Sequence, residues 1–387
     1  MQKDFHYYAT YCAAYIAGYT HEESLDIAYS AQFVDLCSRT YLAKIKAPLS
    51  AATTQLQLEL MDSRLDLMGL QDITRIWASF HFLPYDLYAE KKHCSKRYLN
   101  KYRLICNTNG ELVKETVGLA KKTSLQSVGI AMHILADTWA HRYFAGTPSY
   151  VINNTNRYFF ELLPDGKRPV RFRHSASAPD DLEHSIYTNT IHQPGENTIM
   201  NLGHGRAGHL PDYSFIKYEY LPVWNDYEEI VKDNPHDYMH AFAQMVYAMQ
   251  CIRCGKSFET HLYAWDDIEP YKEDIEVILQ KRQLDSCADW KAFGEGLTGC
   301  EIPDFELSKH EQEYVAASEP DNSQTFLGKF IIAALAQKSM VTNRIYASKN
   351  MLAGFSVDYA KKGFKGIRDF IGLVNERSRD NDEAAEN

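Results

Sequence analysis

Ser124 to Ala145, SLQSVGIAMHILADTWAHRYFA, is the stretch that decides how this 387-residue chain folds. It is apolar nearly all round and rich in small residues, which is how a central, fully buried helix reads. Within it lies His133-x3-Asp137-x3-His141. Residues four apart on a helix advance by about 400°, so each step drifts only about 40° and the three side chains share one narrow stripe. Gly129, Ala131, Ala136 and Ala140 leave room beside that stripe for other elements to approach. Two imidazoles and a carboxylate are costly to bury there unless they pair or hold a metal. The competing reading is a hydrogen-bonded His–Asp core pair, with His141 near the surface.

Working outward, Phe5, Tyr8, Ala9, Cys12, Ala13 and Ile16 fall at helical spacing, and Gly18 suits the end of that helix. Thr20 and Glu23 make a capping box. The helix it starts carries Leu25, Ala28, Gln32 and Asp35 on one stripe, which puts Asp35 on the inward face. Helical patterns continue over Leu56–Met68 and Asp72–Phe80, ending in His81-Phe-Leu-Pro84. After Ala145 the pattern breaks, and residues 146–222 are polar, with abundant Asn, Gly, Pro and His. Within them, Arg157–Leu163 and Arg168–Arg173 flank Pro164-Asp165-Gly166-Lys167, a hairpin by its turn chemistry. Helices resume at Asn234-Pro235, a cap followed by proline at the first helical position. Further helices are expected over Pro270–Arg282, Ser323–Asn350 and Val357–Arg377. The expected fold is thus an all-α, multi-helix bundle: one metal-binding domain over 1–376, with a long polar insertion at 146–222 that contains a small β-hairpin. Residues 377–387 read as a charged, flexible tail.

The formal net charge of −10 argues against extended nucleic-acid partners, which need a positive surface to displace counterions. The two basic stretches, Lys91–Arg103 and Lys167–Arg173, read as solvated faces. The start, Met-Gln-Lys-Asp-Phe-His, lacks the apolar run of a signal peptide, and no run spans a bilayer. Eight scattered cysteines do not form a disulfide framework. A reducing, cytoplasmic compartment is expected, with leaderless export as the other route and peripheral membrane contact compatible with both. Cys251-Ile-Arg-Cys254 falls inside a helical pattern without a partner pair, and His236-Asp237 follows Asn234-Pro235 as a helix cap does. There is no Walker-type glycine loop and no GxSxG nucleophile.

A second cluster supports the metal reading. In Gly203-His-Gly-Arg-Ala-Gly-His-Leu-Pro-Asp212, the residues His204, His209 and Asp212 are interleaved with glycines. His and Asp at that density in a loop suit an N/O zinc site. Asp35, His81 and His6 are each, taken alone, better explained as core or cap residues. Together they supply inward-facing groups on separate helices, which is how bundles build multi-metal sites.

His133-x3-Asp137-x3-His141 followed by Arg-Tyr-Phe-Ala-Gly resembles the core helix of the zinc-dependent phospholipase C superfamily, which includes single-strand zinc nucleases and fungal incompatibility proteins. The whole chain, from Gln2-Lys-Asp-Phe-His-Tyr-Tyr onward, resembles more closely an uncharacterised bacterial family. The superfamily resemblance implies a helical fold with two or three zinc ions at the bottom of a cleft. It implies Asp35, His81, His133 and Asp137 around one ion, and Asp137 bridging to another with His6 as the amino-terminal ligand. His141, His209 and Asp212 would surround the third, with His204 as substitute. Asp137 and Asp35 are the implied catalytic residues. The implied activity is zinc-dependent hydrolysis of a phosphodiester, foremost a phospholipid headgroup; a single-strand nuclease and a non-catalytic, metal-stabilised interaction protein are the alternatives. Arg142 or Arg206 would clamp a phosphate, and Tyr7, Phe80, Trp139 and Tyr143 would wall the cleft or fill the core. The chain departs from the secreted enzymes in three ways. Their amino-terminal ligand is exposed by leader cleavage, and no leader is visible here. Asp212 follows His209 by only three residues, past a proline. The central spacing to the third ligand is shorter.

Overall fold

The computed structural model describes residues 1–350 apart from 57, 61–66, 122, 148–149, 154, 156–157, 174–179, 190–202, 227 and 318–320. The helix expected over 357–377 and the tail at 377–387 lie outside the described residues, as does much of the helix expected over 56–68. The longer helices are α1 (Thr10–Ile16), α2 (His21–Phe33), α3 (Leu67–Phe80), α4 (Glu111–Leu119), α5 (Leu125–Ala140), α6 (Asn234–Cys254), α7 (Cys287–Thr298) and α8 (Phe326–Ala347).

The central helix is α5, buried from Val128 to Ala140 and packed against α2, α3, α4, α6 and α8. Its closest neighbour is α2, and Gly129 explains why: a Cβ there would fall 2.4 Å from the Ile27 carbonyl oxygen. Such an approach is open only to a residue without a side chain. The capping box forms as its sequence implies, with the Thr20 amide on Glu23 Oε2 at 2.9 Å and the Glu23 amide on Thr20 Oγ1 at 3.2 Å. The amino-terminal helix begins differently from an ordinary one. Asp4–Ala9 is π-helical before α1 continues, and the Asp4 carboxylate accepts from the Phe5 and Ser286 amides. At α6 the cap is one residue earlier than the sequence suggests. Asp233 accepts from the His236 amide, while Asn234 donates to the Leu210 and Tyr213 carbonyls and ties the preceding segment down.

The fold is not all-α. It is a helix-rich mixed fold with two sheets built largely from the segment expected to be a decorated insertion. Strands β1 (Phe159–Leu163) and β2 (Gly166–Pro169) pair antiparallel across Pro164-Asp165. β3 (Arg171–Arg173) and β4 (Ile186–Thr188) form a separate parallel pair. β5 (Lys217–Tyr220) and β6 (Ile230–Asp233) complete a four-stranded antiparallel sheet in the order β2-β1-β5-β6. These strands are three to five residues long, and their buried residues include Tyr187, Tyr218, Tyr220, Glu161, Glu219 and Lys232, so neither length nor hydropathy announces them. Phe144, Phe159, Tyr218, Tyr220 and Ile230 nevertheless make a second apolar core beside the helical one. Phe144 stacks on Tyr220 at 5.3 Å, and Phe159 stacks on Tyr220 at 5.6 Å. Among the described residues, no helix is long and apolar enough to cross a membrane.

Candidate metal centre

Five segments deliver the donors. The π-helical turn presents His6, and α5 presents His133, Asp137 and, at its carboxyl end, His141. Asp35 lies two residues beyond the end of α2 rather than on its stripe, in the turn over 34–36. His81 follows α3 directly. The glycine-rich segment supplies His204 and Asp212, and its turns depend on positive φ at Gly203 (+52°) and Gly208 (+59°). A Cβ on Gly203 would meet Asn153 Oδ1 at 2.7 Å, so glycine is needed there on both counts.

Asp137 is the hub. Its Oδ1 is 2.9 Å from the Met1 α-amino nitrogen and 3.1 Å from His6 Nε2. Its Oδ2 is 3.2 Å from both His81 Nδ1 and His133 Nε2. Three donor groups surround it: His6, His133 and Asp137; Asp35, His81 and His133; and His141, His204 and Asp212, the donor atoms of each lying within 4.8 Å of one another. Asp35 Oδ1 is 3.8 Å from His81 Nδ1 and 3.9 Å from His133 Nε2. In the third group, Asp212 Oδ1 is 3.2 Å from His141 Nε2 and 3.3 Å from His204 Nε2. The Met1 amine joins this group too, 3.2 Å from Asp212 Oδ1 and 3.4 Å from His141 Nε2. His209 stands apart: it holds Asp212 Oδ2 at 3.0 Å, its side chain is 58% exposed, and it belongs to none of the three groups. His204, the expected substitute, takes its place.

Outer contacts fix which imidazole nitrogens face inward. A carbonyl only accepts, so His81 Nε2, 3.0 Å from the Thr53 oxygen, carries the proton and leaves the Nδ1 lone pair toward Asp137 and Asp35. By the same reasoning His141 Nδ1 donates to the His81 carbonyl at 2.8 Å, and its Nε2 lone pair faces Asp212 and Met1. Both ring nitrogens of His6 and Nδ1 of His133 are buried without a hydrogen-bond partner. An orphaned buried nitrogen costs about 1–3 kcal/mol.

Burial pushes the imidazoles of His6, His133 and His141 down to about 4, so all three are neutral near pH 7. Burial acts against Asp137, yet His141, the Met1 ammonium, His133 and His6 outweigh it and hold the carboxyl well below the usual range. Asp212 is likewise lowered against burial, by His204, Met1 and the His141 hydrogen bond. Asp35 is raised, chiefly by desolvation. Burial opposes the charge on Met1, but Asp137, Asp212 and Asp35 raise its amine to about 11. Burial opposes the charge on His81, but the Asp137 hydrogen bond and the carboxylates of Asp137 and Asp35 raise it. The neutral imidazoles of His6, His133 and His141, the ionised carboxylates of Asp137 and Asp212 and the orphaned nitrogens match what a metal ion such as zinc takes from a protein.

The groups open into a cavity of about 460 Å³ with Asp35, His81, His141, His204 and Asp212 at its base. Leu60, Trp77 and Phe82 form an apolar wall. Tyr7, Phe80, Trp139 and Tyr143, for which core packing is the better reading, do not line it. Tyr7 and Phe80 sit in the helical core, and Trp139 hydrogen-bonds Gln244. Neither Arg142 nor Arg206 lines it; Arg142 pairs with Asp237 at 3.0 Å and lies over Tyr143. His236-Asp237, read as a cap, gives its carboxylate to Lys232 and Arg142. Cys251 and Cys254 are free thiols on α6.

No curated protein and no solved structure matches the chain. Residues 1–345 match the model of the DUF6765 family, described as a family of unknown function, and the chain belongs to that family.

Proposed function

We propose that this chain is a zinc-dependent phosphodiester hydrolase of the phospholipase C type. The observation that carries the reading is the position of Asp137, whose Oδ1 faces Met1 and His6 and whose Oδ2 faces His81 and His133, with Asp35, His81, His141, His204 and Asp212 lining an open cavity. A purely structural zinc is closed off by four protein ligands, whereas a catalytic centre keeps a position open to solvent and substrate. Asp35, His81 and His133 would hold one ion and His6 and Asp137 would share in it or hold a second; His141, His204 and Asp212 would hold another. Zinc bound there supplies a Lewis acid that acidifies water and offsets charge on a phosphoryl oxygen.

The protein's own groups do the rest. Asp35 lines the cavity, keeps 29% of its side-chain exposure, and has a carboxyl raised toward neutrality by desolvation. Those properties suit it to take the proton of the attacking water. Water adds to phosphorus, the bond to one ester oxygen breaks, and an alcohol and a phosphomonoester leave. His81 and His141 are locked in their tautomers by the Thr53 and His81 carbonyls, so their lone pairs stay aimed inward through the reaction. The test is hydrolysis of bis(p-nitrophenyl) phosphate by the zinc-loaded protein and by Asp137→Ala. The reading expects the variant to lose hydrolysis and zinc together; hydrolysis at the native rate by the variant overturns the role of Asp137.

A further inference from the structure

Among the polar side chains that line the cavity outside the zinc groups, Gln55 and Thr147 have buried polar atoms without a hydrogen-bond partner. Gln55 is only 9% exposed, and both its amide oxygen and its amide nitrogen are buried without a hydrogen-bond partner. Thr147 is 1% exposed, and its hydroxyl also lacks a partner. Both residues line the same cavity as the candidate zinc ligands. Neither is loosely held. Two residues before Gln55, the Thr53 amide donates to the Cys37 carbonyl at 2.9 Å, its hydroxyl donates to the Val34 carbonyl, and its own carbonyl receives His81. Thr147 is pinned by Asn153, whose amide donates to the Ala145 and Thr147 carbonyls at 2.9 and 2.7 Å.

The geometry points to Gln55 and Thr147 as the specificity-determining residues of this cavity, reading a neutral, hydroxyl-bearing group next to the phosphate: a polyol or sugar rather than a quaternary ammonium. This rests on the hydrolase reading above. A free carboxamide offers one acceptor and two donor hydrogens side by side. A hydroxyl both donates and accepts, so each hydroxyl of a polyol can pair with the amide or with the Thr147 hydroxyl. A trimethylammonium group can satisfy neither. It would fill the space against Trp77 and Phe82 but leave both residues unpaired, and a site built to hydrogen-bond rejects a ligand that cannot. The apolar wall of Leu60, Trp77 and Phe82 covers the carbon face of the ligand while the polar pair reads its edge.

The test is isothermal titration of the zinc-loaded protein with inositol 1-phosphate, phosphocholine and inorganic phosphate. Inositol 1-phosphate is expected to bind about tenfold or more tightly than phosphocholine, the discrimination that one lost buried hydrogen bond gives. Gln55→Leu is expected to abolish the preference while zinc content and inorganic phosphate affinity stay at native values. Thr147→Val, close to isosteric, is expected to weaken the preference in the same direction and guards against a misfolded Gln55 variant. Equal or tighter binding of phosphocholine overturns the inference, as does a preference that survives both substitutions. Bis(p-nitrophenyl) phosphate carries no such group, so native hydrolysis of it without the binding preference sinks this inference alone. The preference without any hydrolysis sinks the hydrolase reading alone, and a protein that takes up no zinc overturns both.

Discussion

At the scale of single residues, the chemistry follows from what Asp137 is surrounded by. Four imidazoles, of His6, His81, His133 and His141, and an ammonium converge on one buried carboxylate. That sets the pH response of the metal-free protein. His6, His133 and His141 have folded values near 4, below the ordinary 6.5, so their share of stability is complete above 6.5 and is lost as pH falls toward 4. The Met1 amine is raised from 8.0 to about 11, so its share is complete below 8 and is lost as pH rises through 11. Thermal melting of the chelated protein should therefore fall as pH drops from 6.5 toward 4 and as it rises from 8 through 11; a melting temperature that keeps rising as pH drops from 6.5 to 5 contradicts the assignment.

At the scale of elements, the centre depends on how closely α2 and α5 approach. Gly129 lets the Ile27 carbonyl lie against α5 and brings Asp35, just past the end of α2, within reach of His133. Gly129→Ala should cost about 1–3 kcal/mol through overpacking and should also lower zinc content, because the shift is passed to Asp35. A variant with native melting temperature and full zinc would show that the contact is not what sets the spacing. The elements also show what the sequence could and could not disclose. The stripe of His133, Asp137 and His141 was legible because a buried helix keeps a fixed period and charged groups on it stand out. Asp35 was identified, but its place was misread: the helical count runs through Asp35, whereas α2 stops at Phe33. His204 and His209 are both histidines in one glycine loop, and nothing in their spacing tells which turns inward. Only the chain path fixed by Gly203 and Gly208 decides it.

At the scale of the whole molecule, the segment expected to be an insertion is a second layer that closes one side of the centre. Its polar composition hid this, because a tyrosine buries its ring while keeping a polar tip, and Tyr187, Tyr218 and Tyr220 are all nearly inaccessible. The layer reaches the centre through its own His204, whose ring lies 5.8 and 5.9 Å from Phe82 and Phe144 of the helical part. Phe144→Ala should therefore cost about 3–5 kcal/mol and, beyond its fall in melting temperature, reduce zinc at the His204 group while sparing that at Asp35 and His133. Equal loss at both would mean the two sides of Asp137 cannot be loaded separately.

The whole account stands on cations joining these groups, and anomalous scattering at the zinc edge from crystals of the zinc-loaded protein tests that most directly. It predicts peaks on both sides of Asp137, about 2.0–2.2 Å from imidazole nitrogens and carboxylate oxygens of His133, Asp137, His141 and Asp212. A map with no peak within reach of Asp137 contradicts it and leaves those residues as a buried hydrogen-bonded cluster.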